Sequence, residues 1–381
     1  MKNKNHHELA NFELENFLNK SVLNYSKLRN YDYGPSNRGN TSNLSKYISH
    51  RILNEYQIVK KTLNQFKLNN VEKFIQEIFW RVYWKGWLEN RQMVWNDFVY
   101  YEYKPKKNKF YLDAIEGNTK IECFNEWVEE LKKYNYLHNH TRMWFASIWI
   151  FTLKLPWQLG AKFFLEHLFD GDAASNTLSW RWVAGLQTKG RHYLAKSWNI
   201  EKYTNGKFSS QNINEEEMPL EEEKDFQLTE HIQKKNFEKK SNFLLLFENS
   251  LSFNDKNFFE SYKEVYVLLV GNKFRNISLS KNVLNFKLEL IKDFQDSFPN
   301  AKFVYFENST DLVLPSNTMD VIYPFVGENL DFLKKIPKTK FNYIYQNEDV
   351  FCWQYAKKGF FNFKKNISRI IDHLELHQNS I

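Results

Sequence analysis

"FDGDAASNTLSWRWVAGLQTKG" runs from Phe169 to Gly190 and puts Asp170, Asp172 and Asn176 just ahead of Trp180 and Trp182. Asp-x-Asp opens an EF-hand calcium loop, which then wants Asp or Asn at its fifth position and Gly at its sixth. Ala174 and Ser175 stand there instead, so the oxygen ligands run out. A local reading predicts a helix beginning near Ala173, capped by Asp172, with Gly171 easing the turn. A cap alone leaves the paired tryptophans unexplained, and the reason for them has to come from the rest of the chain.

The 381 residues, 42% of them hydrophobic, suffice for a large core and suggest two domains or one large one. Aromatic residues make up 18%, a density that suits a planar cofactor or a stacked base as well as a core. The formal net charge of +8 fits a polyanionic partner such as nucleic acid. Two distant cysteines, Cys123 and Cys352, build no disulfide framework and no metal cluster, which points to a reducing cytoplasm. "MKNKNHHELANFELENF" (1–17) has no apolar core of a signal peptide. The longest apolar run, "MWFASIWIFTLKLPW" (143–157), is broken by Lys154 and Pro156 and falls short of the roughly 20 residues a bilayer demands. The expectation is a soluble protein with no membrane partner, monomeric, and with no metal.

Residues from about 8 to 200 read as mostly helical, with apolar positions such as Phe74, Ile75, Ile78, Phe79 and Tyr83 at helical spacing and a break near Asn135. From 206 to 241 charge dominates ("NINEEEMPLEEEKDF", 212–226), which predicts a solvated linker or exposed helix. Beyond it, "NFLLLFENS", "EVYVLLVGN", "AKFVYFENS", "MDVIYPFVG" and "FNYIYQNE" are short apolar runs, some separated by helical patterns such as "SKNVLNFKLELIKDFQDSF". These predict a small parallel α/β domain without the glycine fingerprint of a dinucleotide site. The end, "NFKKNISRIIDHLELHQNSI" (362–381), reads as a closing helix.

Single motifs carry little. "GPSNRGNTSNLS" (34–45) nearly fits a P-loop, but Asn40 replaces the phosphate-binding lysine. What remains is a turn opening a helix at about Asn43, capped by Thr41 or Ser42, where free amides suit a diphosphate. Glu77 and Arg81 predict an i,i+4 ion pair on one helix. Asn139 and Arg142 share a helical face, and Arg142 is placed to pair with Asp170 or Asp172. His138 and His140 lack a third ligand.

In order along the chain, "TSNLSKYI" (41–48), "QEIFWRVYW" (76–84), "EGNTKIECFNEWVEELKKYNYLHNHTRMW" (116–144) and "DGDAASNTLSWRWVAG" (170–185) resemble the flavin-binding helical domain of the DNA photolyase/cryptochrome family. The resemblance covers residues 25–205. It implies a mostly α fold in which a helical FAD-binding domain (1–205) is followed, through the charged linker (206–241), by a smaller parallel α/β domain of Rossmann-like type (242–381). This order departs from typical members, which place an α/β antenna domain first, and suggests an atypical bacterial photolyase-like branch. An antenna pigment for the C-terminal segment is left open.

The resemblance also implies roles. Thr41, Ser42, Leu44 and Ser45 would hold the flavin diphosphate; Arg81 and Asn139 would join the FAD-binding set. Arg142 would pair with Asp170 beside the isoalloxazine ring, Asp172 would meet its polar edge, and Asn176 would face N5. Glu77, Trp80, Asn139, Met143 and Trp182 match positions lining the lesion pocket. Trp180 and Trp157 match two members of an electron-transfer chain, with Lys104 at the third position and Tyr100, Tyr101, Tyr103 and Tyr111 near enough in sequence to replace it. Asn139, where the (6-4) branch commonly carries histidine, favours cyclobutane dimers; His140 replaces a usual arginine. The expected activity is light-driven splitting of cyclobutane pyrimidine dimers in UV-damaged DNA, with a blue-light receptor, (6-4) repair or a single-strand binder as alternatives.

Overall fold

A computed structural model of the chain describes residues 5–102, 109–209, 211–229, 238–252, 256–307, 314–336 and 339–377. The first part is helical: α1 (His6–Lys20), α2 (Tyr25–Leu28), α3 (Ser45–Ile48), α4 (Glu55–Leu63), α5 (Leu68–Glu89), α6 (Met93–Val99), α7 (Lys109–Glu116), α8 (Glu122–Tyr134), α9 (Asn139–Ser147), α10 (Trp157–His167), α11 (Ala173–Ala184) and α12 (Ser197–Tyr203). α5 buries Val71, Phe74, Ile75, Ile78, Phe79, Val82 and Tyr83, the predicted stripe and its neighbours. The break at Asn135 is a left-handed C-cap, φ 55°, an αL conformation asparagine tolerates. After α9 the chain widens into one π-helical turn, Ile148–Thr152, before Pro156 starts α10.

The five apolar runs are strands β1 (Phe243–Phe247), β2 (Glu264–Val270), β3 (Ala301–Phe306), β4 (Thr318–Ile322) and β5 (Lys340–Ile344), all parallel in the order β3-β2-β1-β4-β5. Helices α13 (Lys256–Glu260), α14 (Lys281–Ser297) and α15 (Glu328–Lys334) lie between strands. The end is not one closing helix: α16 (Asn347–Trp353), α17 (Phe360–Lys364) and α18 (Ile367–His373) are short, broken at Gly359 and Asn366.

The order reverses between β2-β1 and β1-β4, the switch point where open α/β sheets hold ligands. Here the helical part packs across it, leaving a cavity of about 90 Å³ between the strand ends and residues such as His50, Lys85 and Glu89. The Leu251 amide bonds the His50 carbonyl at 2.9 Å, Lys287 bridges His50 and Glu248 at 3.2 and 3.1 Å, and Glu89 accepts from Tyr323 Oη and the Val326 amide, both at 2.8 Å. α16 then returns to α5, where a Cβ on Gly86 would lie 2.7 Å from Trp353 Cδ1; only glycine allows that approach. Residues 211–229 are exposed or half-exposed throughout, none of them buried. They run without helix across the helical part, because their acids find bases there: Glu222 pairs with Arg181, Glu217 with Lys154, while Lys224 pairs with Asp97. Among the described residues no helix is long and apolar enough to cross a membrane.

Candidate functional site

α5 presents Glu77, Trp80, Arg81 and Trp84 at spacings of three and four, so they share a face. The expected Glu77–Arg81 pair does not form. Arg29, just past α2, donates to Glu77 Oε1 at 2.8 Å, and Arg81 Nη2 donates to Asp172 Oδ2 at 3.2 Å and Ser49 Oγ at 3.0 Å. A shared face satisfies the spacing rule, but both side chains point inward, where buried partners from other elements outcompete a neighbour one turn away. Burial raises the Glu77 carboxyl above its ordinary value, opposed by Arg29.

The two aspartates divide their work. Arg142 Nη2 donates to Asp170 Oδ2 at 2.9 Å. Burial by itself would raise Asp170, but the Arg142 charge and hydrogen bond outweigh it and hold the carboxyl below its usual value. Asp172 caps α11 as predicted, its Oδ1 accepting from the amides of Ala174 at 3.1 Å and Ser175 at 3.0 Å while Oδ2 meets Arg81. One turn on, Asn176 Nδ2 donates to the Ala161 carbonyl at 2.8 Å, which fixes the carboxamide and leaves Oδ1 as its free end. His138 acts as a cap, Nδ1 accepting from the His140 amide at 3.2 Å, and burial pushes its imidazole down to about 4.

At the 41–45 turn the helix starts at Ser45, not Asn43, with Leu44 as N-cap and no side-chain cap. Thr41 Oγ1 and Asn43 Nδ2 turn back to the Arg38 carbonyl at 3.3 and 3.0 Å, and Asn43 sits at φ 53°. The hydroxyl expected to cap is thus spent inside the turn. Among the described residues no protein acceptor takes the amides of Ser42, Asn43, Leu44 or Ser45.

These elements enclose one cavity of about 420 Å³. Thr41, Ser42, Leu44, Ser45, Glu77, Trp80, Arg81, Asn139, Arg142, Met143, Asp170, Asp172, Asn176, Trp180 and Trp182 all line it. Trp157 does not; it is buried against Phe98, stacked at 5.5 Å. Lys104 and Tyr103 lie outside the described residues. Tyr25, Arg29, Trp84, Tyr136 and Ser179 line the cavity without having been singled out from the sequence. Trp84, four residues after Trp80 on α5, had that helical spacing as a local signal. Trp80 has a further contact from a distant segment: Phe360 on α17 stacks on it with centroids 3.5 Å apart and planes at 13°.

The cavity fits a flavin nucleotide. Its volume falls within the roughly 300–1,000 Å³ of small-molecule sites. Arg81 Nε, Ser175 Oγ and Trp180 Nε1 are buried without a protein partner, a cost of about 1–3 kcal/mol each unless a ligand or water satisfies them. The undonated amides at 42–45 face the same need.

Residues 74–216 match a family model described as the FAD binding domain of DNA photolyase. The deoxyribodipyrimidine photo-lyase of Streptomyces griseus is 31% identical over 158 residues, 40% of this chain and 33% of the relative. That of Vibrio cholerae is 26% identical over 197 residues, 49% of this chain and 41% of the relative. The matches thus cover less than half of these relatives' own length. Among solved structures, a bacterial class III photolyase from Agrobacterium tumefaciens aligns at 24% identity and a TM-score of 0.43, covering 52% of this chain and 42% of that one. Over its helical part, then, this chain is similar to the FAD binding domain of DNA photolyase.

Proposed function

We propose that the chain splits cyclobutane pyrimidine dimers in DNA under blue light. The observation that carries this reading is the convergence of the whole expected set, apart from Trp157, on one cavity. Bound and reduced, FAD supplies an excited-state electron donor. The protein's part is to hold, orient and shelter.

In this reading the amides of the 41–45 turn and the Ser45 hydroxyl receive the diphosphate. Arg142–Asp170 and Arg81–Asp172 set two charge-balanced pairs in the cavity wall, so the polar edge of the ring meets fixed dipoles. Asn176, its amide locked on Ala161, offers Oδ1 as an acceptor for a ring N–H. Trp80, Met143 and Trp182 give an apolar wall on which a flipped dimer replaces its lost base stacking, and Glu77 and Asn139 give polar contacts. Phe360, stacked behind Trp80, fixes the plane of that indole. The net charge of +8 favours phosphate contacts and salt-dependent binding.

The test is repair of a dimer-containing oligothymidine, single- and double-stranded, by reduced protein in blue light against a dark control. Light-dependent loss of dimers is expected. Bound, photoreducible flavin with no loss on either substrate would sink the proposal and favour a photoreceptor.

A further inference from the structure

The cavity end of Trp180 is one terminus of an aromatic path that reaches the surface. Its indole lies 6.2 Å from that of Trp149, centroid to centroid, at 86°. Trp149 in turn lies 6.0 Å from the Tyr111 ring at 87°. Trp149 is fully buried in the π-helical turn, and Tyr111, on α7, is half-buried. Gly160 makes the first contact possible: a Cβ there would collide with the Trp180 ring and lie 3.0 Å from Trp149 Cε2. Trp157 stacks on Phe98, whose phenyl ring is not oxidised where an indole is, and its own ring carries the Arg181 guanidinium 5.9 Å from its centroid, a cation that disfavours a positive indole radical.

We infer that electrons reach Trp180 from the surface through Trp149 and Tyr111. This rests on the flavin reading above. In each event one electron leaves Trp180 for the photoexcited oxidised isoalloxazine ring. Trp180 recovers it from Trp149, and Trp149 from Tyr111. The deficit then rests on the phenol, whose O–H proton passes to bulk water. A dissolved thiol returns a hydrogen atom to Tyr111, and two thiyl products couple to a disulfide. Loss of the proton is what holds the deficit at the outer end, because return transfer to Trp149 would require reprotonation. Burial, with the Glu166 charge beside it, raises the Tyr111 phenol, so that proton is present at neutral pH.

The experiment illuminates FAD-loaded protein anaerobically with a thiol and follows flavin bleaching together with the electron paramagnetic resonance spectrum. Wild type is expected to give a tyrosyl radical. Tyr111→Phe should lose that signal and slow bleaching by about tenfold, and Trp149→Phe should do both. Trp157→Phe should slow it by less than about twofold. Trp149 is a core residue, so flavin content and circular dichroism are recorded for every variant. Tyr111→Phe, at a half-buried position, decides the matter if Trp149→Phe does not fold. A tyrosyl signal that persists in Tyr111→Phe overturns the route, as does bleaching lost in Trp157→Phe but kept in Tyr111→Phe. Dimer repair by wild-type protein reduced with dithionite separates the two failures. Repair there alongside normal bleaching in Tyr111→Phe overturns the route alone; wild-type protein that holds no flavin overturns both.

Discussion

Arg29 reaches Glu77 at 2.8 Å from 48 residues upstream, and in doing so displaces Arg81 from the partner its helix position offers it. Arg81 is thereby released to Asp172, so one long-range pair makes the second. The cavity wall is built from ion pairs between elements, not within them.

That arrangement sets the titration of Glu77. Burial raises its carboxyl, while Arg29, and to a smaller degree Lys73, pulls it back. In Arg29→Ala the opposing charge is gone, so Glu77 titrates at higher pH. Any acid limb that Glu77 sets in dimer binding should move upward. Binding of a dimer-containing oligonucleotide across the pH range reads this, and an unmoved limb assigns the limb to another group.

Asp172 serves a helix terminus and an arginine at once. Asp172→Ala is expected to lower stability by about 1–2 kcal/mol through the lost cap. It should also reduce flavin retention, since Arg81 loses its carboxylate. Asp172→Asn keeps an acceptor for the α11 amides and should recover most of the stability with little of the retention. Denaturant midpoints and flavin absorbance per protein measure the two effects separately.

Gly160 is pressed against Trp180 and Trp149. Gly160→Ala forces two buried indoles apart and should cost about 1–3 kcal/mol as overpacking, despite alanine's better helix propensity. Thermal unfolding of the variant tests it; an unchanged midpoint would mean that the indoles yield freely.

Arg51 joins the helical part to α16, donating to Asp349 at 2.7 and 3.0 Å with both groups buried. Tyr56 Oη donates to the same carboxylate at 2.9 Å. Asp349→Ala leaves a buried guanidinium with only Glu55, 3.9 Å away, as counter-charge. The expected loss is about 3–5 kcal/mol, read by chemical denaturation.

Glu89 makes stability fall with rising pH. Burial pushes its carboxyl up to about 7, against an ordinary 4.5. The folded state therefore holds the proton more tightly than the unfolded one. This contribution is complete below pH 4.5 and is lost as pH rises through about 7, some 3 kcal/mol in all at about 1.4 kcal/mol per unit. Glu130, which burial also raises to about 7, has the same sign, whereas His138 and His167, which burial pushes down to about 4, have the opposite one. The Glu89 contribution is therefore read as the difference between wild type and Glu89→Gln, whose midpoint should gain on wild type as pH rises towards 7. Glu55 acts oppositely: Lys85 and Arg51 overcome its burial and hold it at about 2, so its contribution is present above 4.5 and lost as pH falls through about 2. Urea midpoints measured from about pH 4 to 8 check the slope.

The sequence by itself determined what repeats or caps locally. The α5 stripe, the Asn135 break, the Asp172 cap and all five strands follow from periodicity, αL tolerance and short-range hydrogen bonding, which act within a few residues. The order of the motifs also pointed to the FAD domain and to 15 of the 27 residues around the cavity. Apart from Arg142 with Asp170, which the resemblance implied, pairing was decided only in three dimensions. Glu77 and Arg81 satisfy the i,i+4 rule and still separate, because a buried charge takes whichever partner desolvates least, and Arg29 and Asp172 arrive from elsewhere. The acidic run at 211–229 stays solvent-exposed as its charge predicts, but which bases it meets is set by the fold. Phe360 behind Trp80 and Tyr111 beyond Trp149 depend on contacts between distant segments, for which no local pattern exists.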